Sequence, residues 1–138
     1  MAQIDDDRIL EFLGQPRNAI VATIRPNGMP QLSPIWFLWR ADRFVLSAGV
    51  ATAKAANLSR DPRISLCIDD EPGGRYLAAS GPVAVVGDAD RREYALELIA
   101  KYKPAAEVLP HWEHLEVHEP QRIFTLDPER VIWRDYSA

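Results

Sequence analysis

Phe44-Val45-Leu46-Ser47-Ala48-Gly49, followed two residues later by Thr52-Ala53-Lys54-Ala55-Ala56-Asn57-Leu58-Ser59-Arg60-Asp61-Pro62, is the stretch on which the fold of this chain turns. The first run is short, apolar and β-prone, and Gly49 allows a sharp turn at its end. Thr52 has the side chain that caps a helix start, and Pro62 cannot continue a helix, so a short helix is predicted directly after a strand end. The first amide N–H groups of such a helix lack intrahelical partners and sit at the positive end of its dipole, so they can hold an anion. Thr52 adds a hydroxyl, Ala53 its backbone and Lys54 a full charge, an arrangement suited to one phosphate group. A threonine cap followed by a solvated lysine also occurs on ordinary surface helices, so the local pattern by itself supports both readings.

Upstream, Ala19 to Arg25 is β-rich and runs into Pro26-Asn27-Gly28, where Asn-Gly supplies the positive φ values of a tight turn, so two antiparallel strands are predicted. In the second, Pro30 to Trp39, the side chains of Gln31, Ser33, Ile35, Phe37 and Trp39 point one way. Leu32, Pro34, Trp36 and Leu38 point the other, and from Ile35 onward both faces are apolar. A small barrel buries only its inner face, so the outer face of this strand is expected to be covered by a second subunit or a planar ligand. Pro34 removes a ladder donor in mid-strand, which implies an edge or a bulge with backbone polar groups free to meet a ligand; a plain edge strand accounts for it equally well.

Asp5-Asp6-Asp7 ahead of Ile9, Leu10, Phe12 and Leu13, with Gly14 and Pro16 after, predicts a small lid or packing helix. Downstream, Ile64, Leu66 and Ile68 alternate with Ser65, Cys67 and Asp69, which puts Cys67 inside a strand as a packed small residue. Asp70-Glu71-Pro72-Gly73-Gly74 is a turn, and in Tyr76 to Val86 the pair Gly81-Pro82 marks a bend at a barrel corner. Asp88 is expected to cap a helix with Tyr94, Ala95, Leu98, Ile99 and Tyr102 in one apolar stripe, the tyrosines packing rather than reacting. Pro110 to Pro120 carries all three histidines, His111, His114 and His118, beside Glu113, Glu116 and Glu119. No cysteine or further histidine completes a four-ligand zinc or haem set, so the segment reads as an exposed polar connector and no metal is assigned. Arg122 to Leu126 and Val131 to Trp133, joined by a hairpin-like Asp127-Pro128-Glu129, are expected to complete an antiparallel barrel.

At 138 residues with 47% hydrophobic composition the chain is expected to form one domain, residues 1–138, with a real core. A net charge of −4 with Arg and Lys scattered argues against a nucleic-acid partner. No apolar stretch approaches the roughly 18 residues of a membrane span, the amino terminus is not basic-then-apolar, and there is a single cysteine, so the expected compartment is the cytoplasm. The chain lacks GxGxxG after a strand, GxxxxGK, a nucleophile elbow, HExxH and CxxC. Chemistry is therefore expected from a bound redox cofactor, with the protein supplying binding, orientation and electrostatics.

Three segments, AIVATIRPNGMPQLSPIWF, TAKAANLSRDPRISLCI and RYLAASG, stand in this order between Ala19 and Gly81. Together they resemble the split β-barrel family of pyridoxamine phosphate oxidase-like flavin and deazaflavin oxidoreductases, most closely its short branch using the deazaflavin F420. The resemblance implies a mainly β, α+β split barrel with a few peripheral helices, acting as a homodimer with cofactor at the subunit interface. It places the cofactor phosphate on Lys54 and Thr52 with Ala53, and lets Asn57 steady the loop. Gln31, Ser33, Pro34, Ile35 and Trp36, with Ser47, Ala48 and Gly49, are implied to flank the ring and its sugar-like chain. The implied reaction is hydride transfer between F420 and a small unsaturated or conjugated substrate, with no catalytic side chain named. Deazaflavin-using relatives often carry a further basic residue near Thr52, so FMN is the alternative cofactor. A noncatalytic flavin- or haem-binding protein is the alternative of another class. The open side of the pocket is expected from Asp70 to Gly74 and the histidine segment.

Overall fold

Period-two alternation in the sequence becomes a closed barrel in the computed structural model, which describes residues 4–70 and 72–136. The strands are β1 (Asn18–Ile24), β2 (Pro30–Arg40), β3 (Arg43–Gly49), β4 (Arg63–Asp69), β5 (Arg75–Val85), β6 (Gln121–Leu126) and β7 (Arg130–Asp135). They pair antiparallel in the order β4-β1-β2-β3-β6-β5-β7, and an additional β4–β5 ladder closes the first six into a ring. The helices are α1 (Asp7–Gly14), α2 (Ala53–Arg60), α3 (Asp88–Tyr102) and α4 (Ala105–His118). None of the described helices is long and apolar enough to cross a membrane.

Inward-facing Ala19, Val21, Phe37, Phe44, Leu46, Ile64, Leu66, Ile68 and Leu77 form the barrel core, joined by Phe12 and Leu13 of α1 and by Ala55 and Leu58 of α2. Asp6 caps α1, which packs into the core rather than acting as a lid. β3 is buried on both faces: Phe44 and Leu46 look into the barrel, whereas Val45 joins Ile123, Ala95, Ile99 and Trp112 in a second cluster beneath α3 and α4. Those helices cover the outer face of β2 over its second half. Trp36 stacks on Tyr102 of α3 with centroids 4.5 Å apart and planes 2° from parallel, and Leu38 packs on the second cluster, whereas Leu32 and Pro34 on the same face are exposed.

Several local expectations need correction. β6 and β7 do not form a hairpin: β6 pairs with β3 and β5, whereas β7 pairs with β5 and lies outside the ring. Gly87, not Asp88, is the N-cap of α3. The histidine segment is no connector but the body of α4, which accommodates Pro110 although that residue offers no N–H to the preceding turn. Cys67 lies in its strand but faces outward and is exposed, because the alternation that buries Ile64, Leu66 and Ile68 sends it to the other face. The bend at Gly81-Pro82 is present: β5 leaves β7 after Ser80 and takes up β6 at Val83, and a Cβ on Gly81 would stand 3.2 Å from the Glu129 nitrogen.

Candidate cofactor cavity

The site arises where a ladder stops. Ala41 and Asp42 turn β2 into β3 with φ of 51° and 64°, the two-residue hairpin geometry that fixes register. From there the strands pair Arg40 with Arg43 through Phe37 with Leu46, and then part. The same register continued would oppose Trp36 to Ser47, Ile35 to Ala48 and Pro34 to Gly49. These six residues are unpaired with one another and instead line a cavity of about 430 Å³. β2 remains laddered to β1 on its far side and β3 to β6 on its own, so the cavity looks onto two strand edges whose polar groups are not consumed by each other. Pro34 brings no N–H to this edge, which agrees with the edge read from the sequence.

α2 closes one end. Thr52 is its N-cap, accepting from the Ala55 amide at 3.3 Å and donating its hydroxyl proton to the Gly49 carbonyl at 2.7 Å. The hydroxyl is thus already committed, and the free donors at this end are backbone amides and Lys54. Among the described residues Lys54 makes no hydrogen bond or ion pair. Burial lowers its pKa, opposed by the field of the Glu119 carboxylate. An unpaired, half-buried ammonium at a helix start, facing a cavity, fits an anionic group.

The opposite wall comes from α3 and α4: Leu98, Ile99, His111, Trp112, Leu115 and Glu119 all line it. His111 turns inward, its ring 5.8 Å from that of Trp36, while His114 and His118 lie together on the exposed side, centroids 4.5 Å apart. Burial and the nearby Lys103 push His111 below its ordinary pKa, which favours the neutral imidazole. Among the described residues no three His, Cys, Asp or Glu side chains come together as metal ligands. The cavity therefore has a polar end at α2 and an apolar, aromatic end under α3 and α4, a fit for a planar ring carrying an anionic tail.

Of the residues singled out by sequence, Pro34, Ile35, Trp36, Ser47, Ala48, Gly49, Thr52 and Lys54 are brought together at this cavity. Gln31, Ser33, Ala53 and Asn57 are not among its lining. Asn57 is buried behind α2, donating to Thr23 Oγ1 at 3.1 Å and Gln31 Oε1 at 3.0 Å and accepting from Arg60 at 3.1 Å, so it ties the helix to β1 and β2. The Asp70–Gly74 turn is likewise absent from the wall: Asp70 folds back on Arg75 at 3.0 Å, and Glu71 lies outside the described residues. Sequence reading missed Asn18, Gln121, Trp112 and the α3 residues, whose apolar stripe signals burial but not what it is buried against.

The profile of the pyridoxamine 5'-phosphate oxidase family matches residues 5–134. Among solved structures, a conserved hypothetical protein, Rv2991 of Mycobacterium tuberculosis, superposes with a TM-score of 0.80 at 22% identity, covering 98% of this chain and 88% of that one. An F420 reductase superposes with a TM-score of 0.68 at 24% identity over 88% of this chain and 94% of its own. A pyridoxamine 5'-phosphate oxidase-related, FMN-binding protein of Nostoc punctiforme gives 0.69 at 17% identity, covering 95% and 83%. At these identities the likeness is one of fold. The match over nearly the whole chain and the closed barrel split beside β3 agree, and the chain is a member of the pyridoxamine 5'-phosphate oxidase family of split β-barrels.

Proposed function

We propose that this protein is an F420-dependent oxidoreductase that binds the deazaflavin in the cavity between β2, β3, α2 and the α3–α4 pair. The observation that carries the reading is the interrupted β2–β3 ladder, which leaves two strand edges and an unpaired Lys54 facing one cavity. Lys54 and the first amides of α2 hold the cofactor phosphate; the edges at Trp36 and Ser47 meet the sugar-like chain; Trp36 and Trp112 bound the space for the ring. The bound deazaflavin supplies the hydride exchanged with a small unsaturated or conjugated substrate. The protein orients the two reactants and excludes water with the apolar wall of Leu98, Ile99 and Leu115. FMN is the alternative occupant of the same cavity, favoured by the lack of a second cation beside Thr52.

A homodimer with the cofactor at its interface, in the cytoplasm, completes the proposal. Across the outer face of the barrel the registers align Pro34, Ile20, Cys67, Ala78 and Ile132 in one row from β2 to β7. Beside it Leu32 is 66% exposed and Ile20 43%. Pro34 belongs both to this row and to the cavity, so a second copy seated on the row reaches over the cavity mouth. Titrating the purified protein with F420 and, separately, FMN, read by quenching of tryptophan fluorescence, tests the cofactor. Selective F420 binding with hydride transfer to an enone or quinone supports the proposal; FMN preference moves the cavity to the flavin branch; binding without turnover points to a carrier. Sedimentation of Leu32→Asp tests the face: a dimer unaffected by that charge removes it from the interface.

A further inference from the structure

Among the described residues the cavity is lined by one lysine and one carboxylic acid, Lys54 and Glu119, and apart from the titratable His111 every other lining side chain is uncharged. The backbone around Glu119 is held in place by its surroundings, and the residue itself is exposed. The Val50 amide donates to the Pro120 carbonyl at 2.8 Å, and Gln121 Nε2 donates to the Glu119 carbonyl at 2.8 Å while its Oε1 accepts from Ser47 Oγ at 2.7 Å. The side chain then leans across the end of β3. A Cβ on Gly49 would stand 3.1 Å from Glu119 Oε1 and 3.2 Å from its Cγ, so the absence of a side chain at 49 is what admits the carboxylate beside the cradle.

A phosphate at Lys54 is therefore drawn by the ammonium and by the positive end of α2, and repelled by one carboxylate. That balance discriminates between phosphate types. A diester carries one negative charge, whereas a monoester carries about 1.5 to 2 at pH 7. The repulsion from Glu119 rises in proportion to the charge it meets, so the monoester is penalised more than the diester. We infer that Glu119 is a specificity residue that tunes the cavity to a phosphodiester, the form in which F420 carries its phosphate, and against the phosphate monoester of FMN.

This inference rests on the reading that a cofactor phosphate sits at Lys54, and the test separates the two. FMN and F420 are titrated into the wild-type protein, Glu119→Gln and Glu113→Gln, the last removing an equal charge from the exposed side of α4 away from the cavity. The ratio of the two affinities is compared among proteins, which cancels every difference between the ligands that residue 119 does not feel. Glu119→Gln is expected to shift that ratio toward FMN by about tenfold and Glu113→Gln to leave it unchanged. A ratio equal in wild type and Glu119→Gln, with both ligands still bound, overturns the inference and leaves the cofactor reading intact. Binding of neither ligand by any of the proteins overturns both.

Discussion

β2 presents two open edges, and the molecule treats them in opposite ways. On the β1 side the ladder ends at Asn18 and Trp36, and the next opposed pair would be Arg17 and Phe37. Tyr102 Oη sits in that gap, donating toward the Arg17 carbonyl at 2.7 Å and the Phe37 carbonyl at 3.0 Å and accepting from the Phe37 amide at 3.0 Å. Lys101 Nζ adds hydrogen bonds to the Phe37 and Leu13 carbonyls at 3.0 and 2.8 Å. On the β3 side, at Pro34 and Trp36, no side chain among the described residues plays this part and the edge looks into the cavity. Buried backbone polar groups have to be satisfied somehow. An edge plugged by the chain's own side chains is structural, and an edge left to solvent or a ligand is where function is built.

Removing the far wall of the open edge is the most disruptive way to test the contrast. Trp112 is 4% exposed and sits between Val45, Ile123 and the α3 residues. Trp112→Ala is expected to lower stability by about 3–5 kcal/mol in urea unfolding, the usual cost of emptying a large buried site. Any cofactor affinity that survives at a concentration where the variant is folded then belongs to the α2 side alone. Lys54→Ala is the complementary change, expected to weaken cofactor binding by about 1.5–3 kcal/mol through loss of a charge-assisted phosphate contact, with unfolding unaltered. A Lys54→Ala protein that binds the cofactor as tightly as wild type removes the α2 end from the site.

The open edge was more legible in the sequence than the plug, for a physical reason. Gly49, Thr52 and Lys54 act within one turn of chain, so residue types and spacing are enough to read a helix start that can hold an anion. Pro34 likewise announces an edge by itself. Phe37, Arg17, Lys101 and Tyr102 meet only after folding, at sequence separations of up to 85 residues, and nothing in the α3 stripe distinguishes a tyrosine that packs from one that plugs a sheet. Asn57 shows the converse limit. Its spacing after Thr52 and Lys54 predicts a residue that steadies the loop, but not that its partners are Thr23 and Gln31 on the strands behind. Glu119 is invisible locally, because it reaches the cavity only through the return of the chain from α4 to β6 along Gly49.

Tyr102→Phe isolates the plug while keeping the ring stacked on Trp36. It leaves the Phe37 amide without its acceptor, at an expected cost of about 1–2 kcal/mol in urea unfolding. Cofactor affinity, read in the same fluorescence titration, should move far less than in Lys54→Ala. If the two variants instead lose affinity equally with no change in unfolding, the two edges of β2 are not functionally distinct.

Lys101 gives the sharpest sign. Burial pushes its amine down to about 7, although the Phe37 ring 3.5 Å away favours the charged form. A neutral amine has two N–H groups, matching the two carbonyls it meets, so the plug survives deprotonation. In the unfolded chain a lysine keeps its proton to about pH 10.4. Between about 7 and 10.4 the unfolded state therefore binds more protons than the folded one, and stability rises with pH across that window. Below it both states are protonated, above it both are neutral, and this residue contributes no slope in either range. Wild-type melting temperature minus that of Lys101→Met should accordingly increase from pH 7 to pH 10, since methionine cannot titrate and every other group cancels in the difference. A flat difference would mean that Lys101 stays charged in the folded protein, held by the carbonyls and the ring, and that the β1-side edge is closed by an ion rather than by a pair of neutral hydrogen bonds.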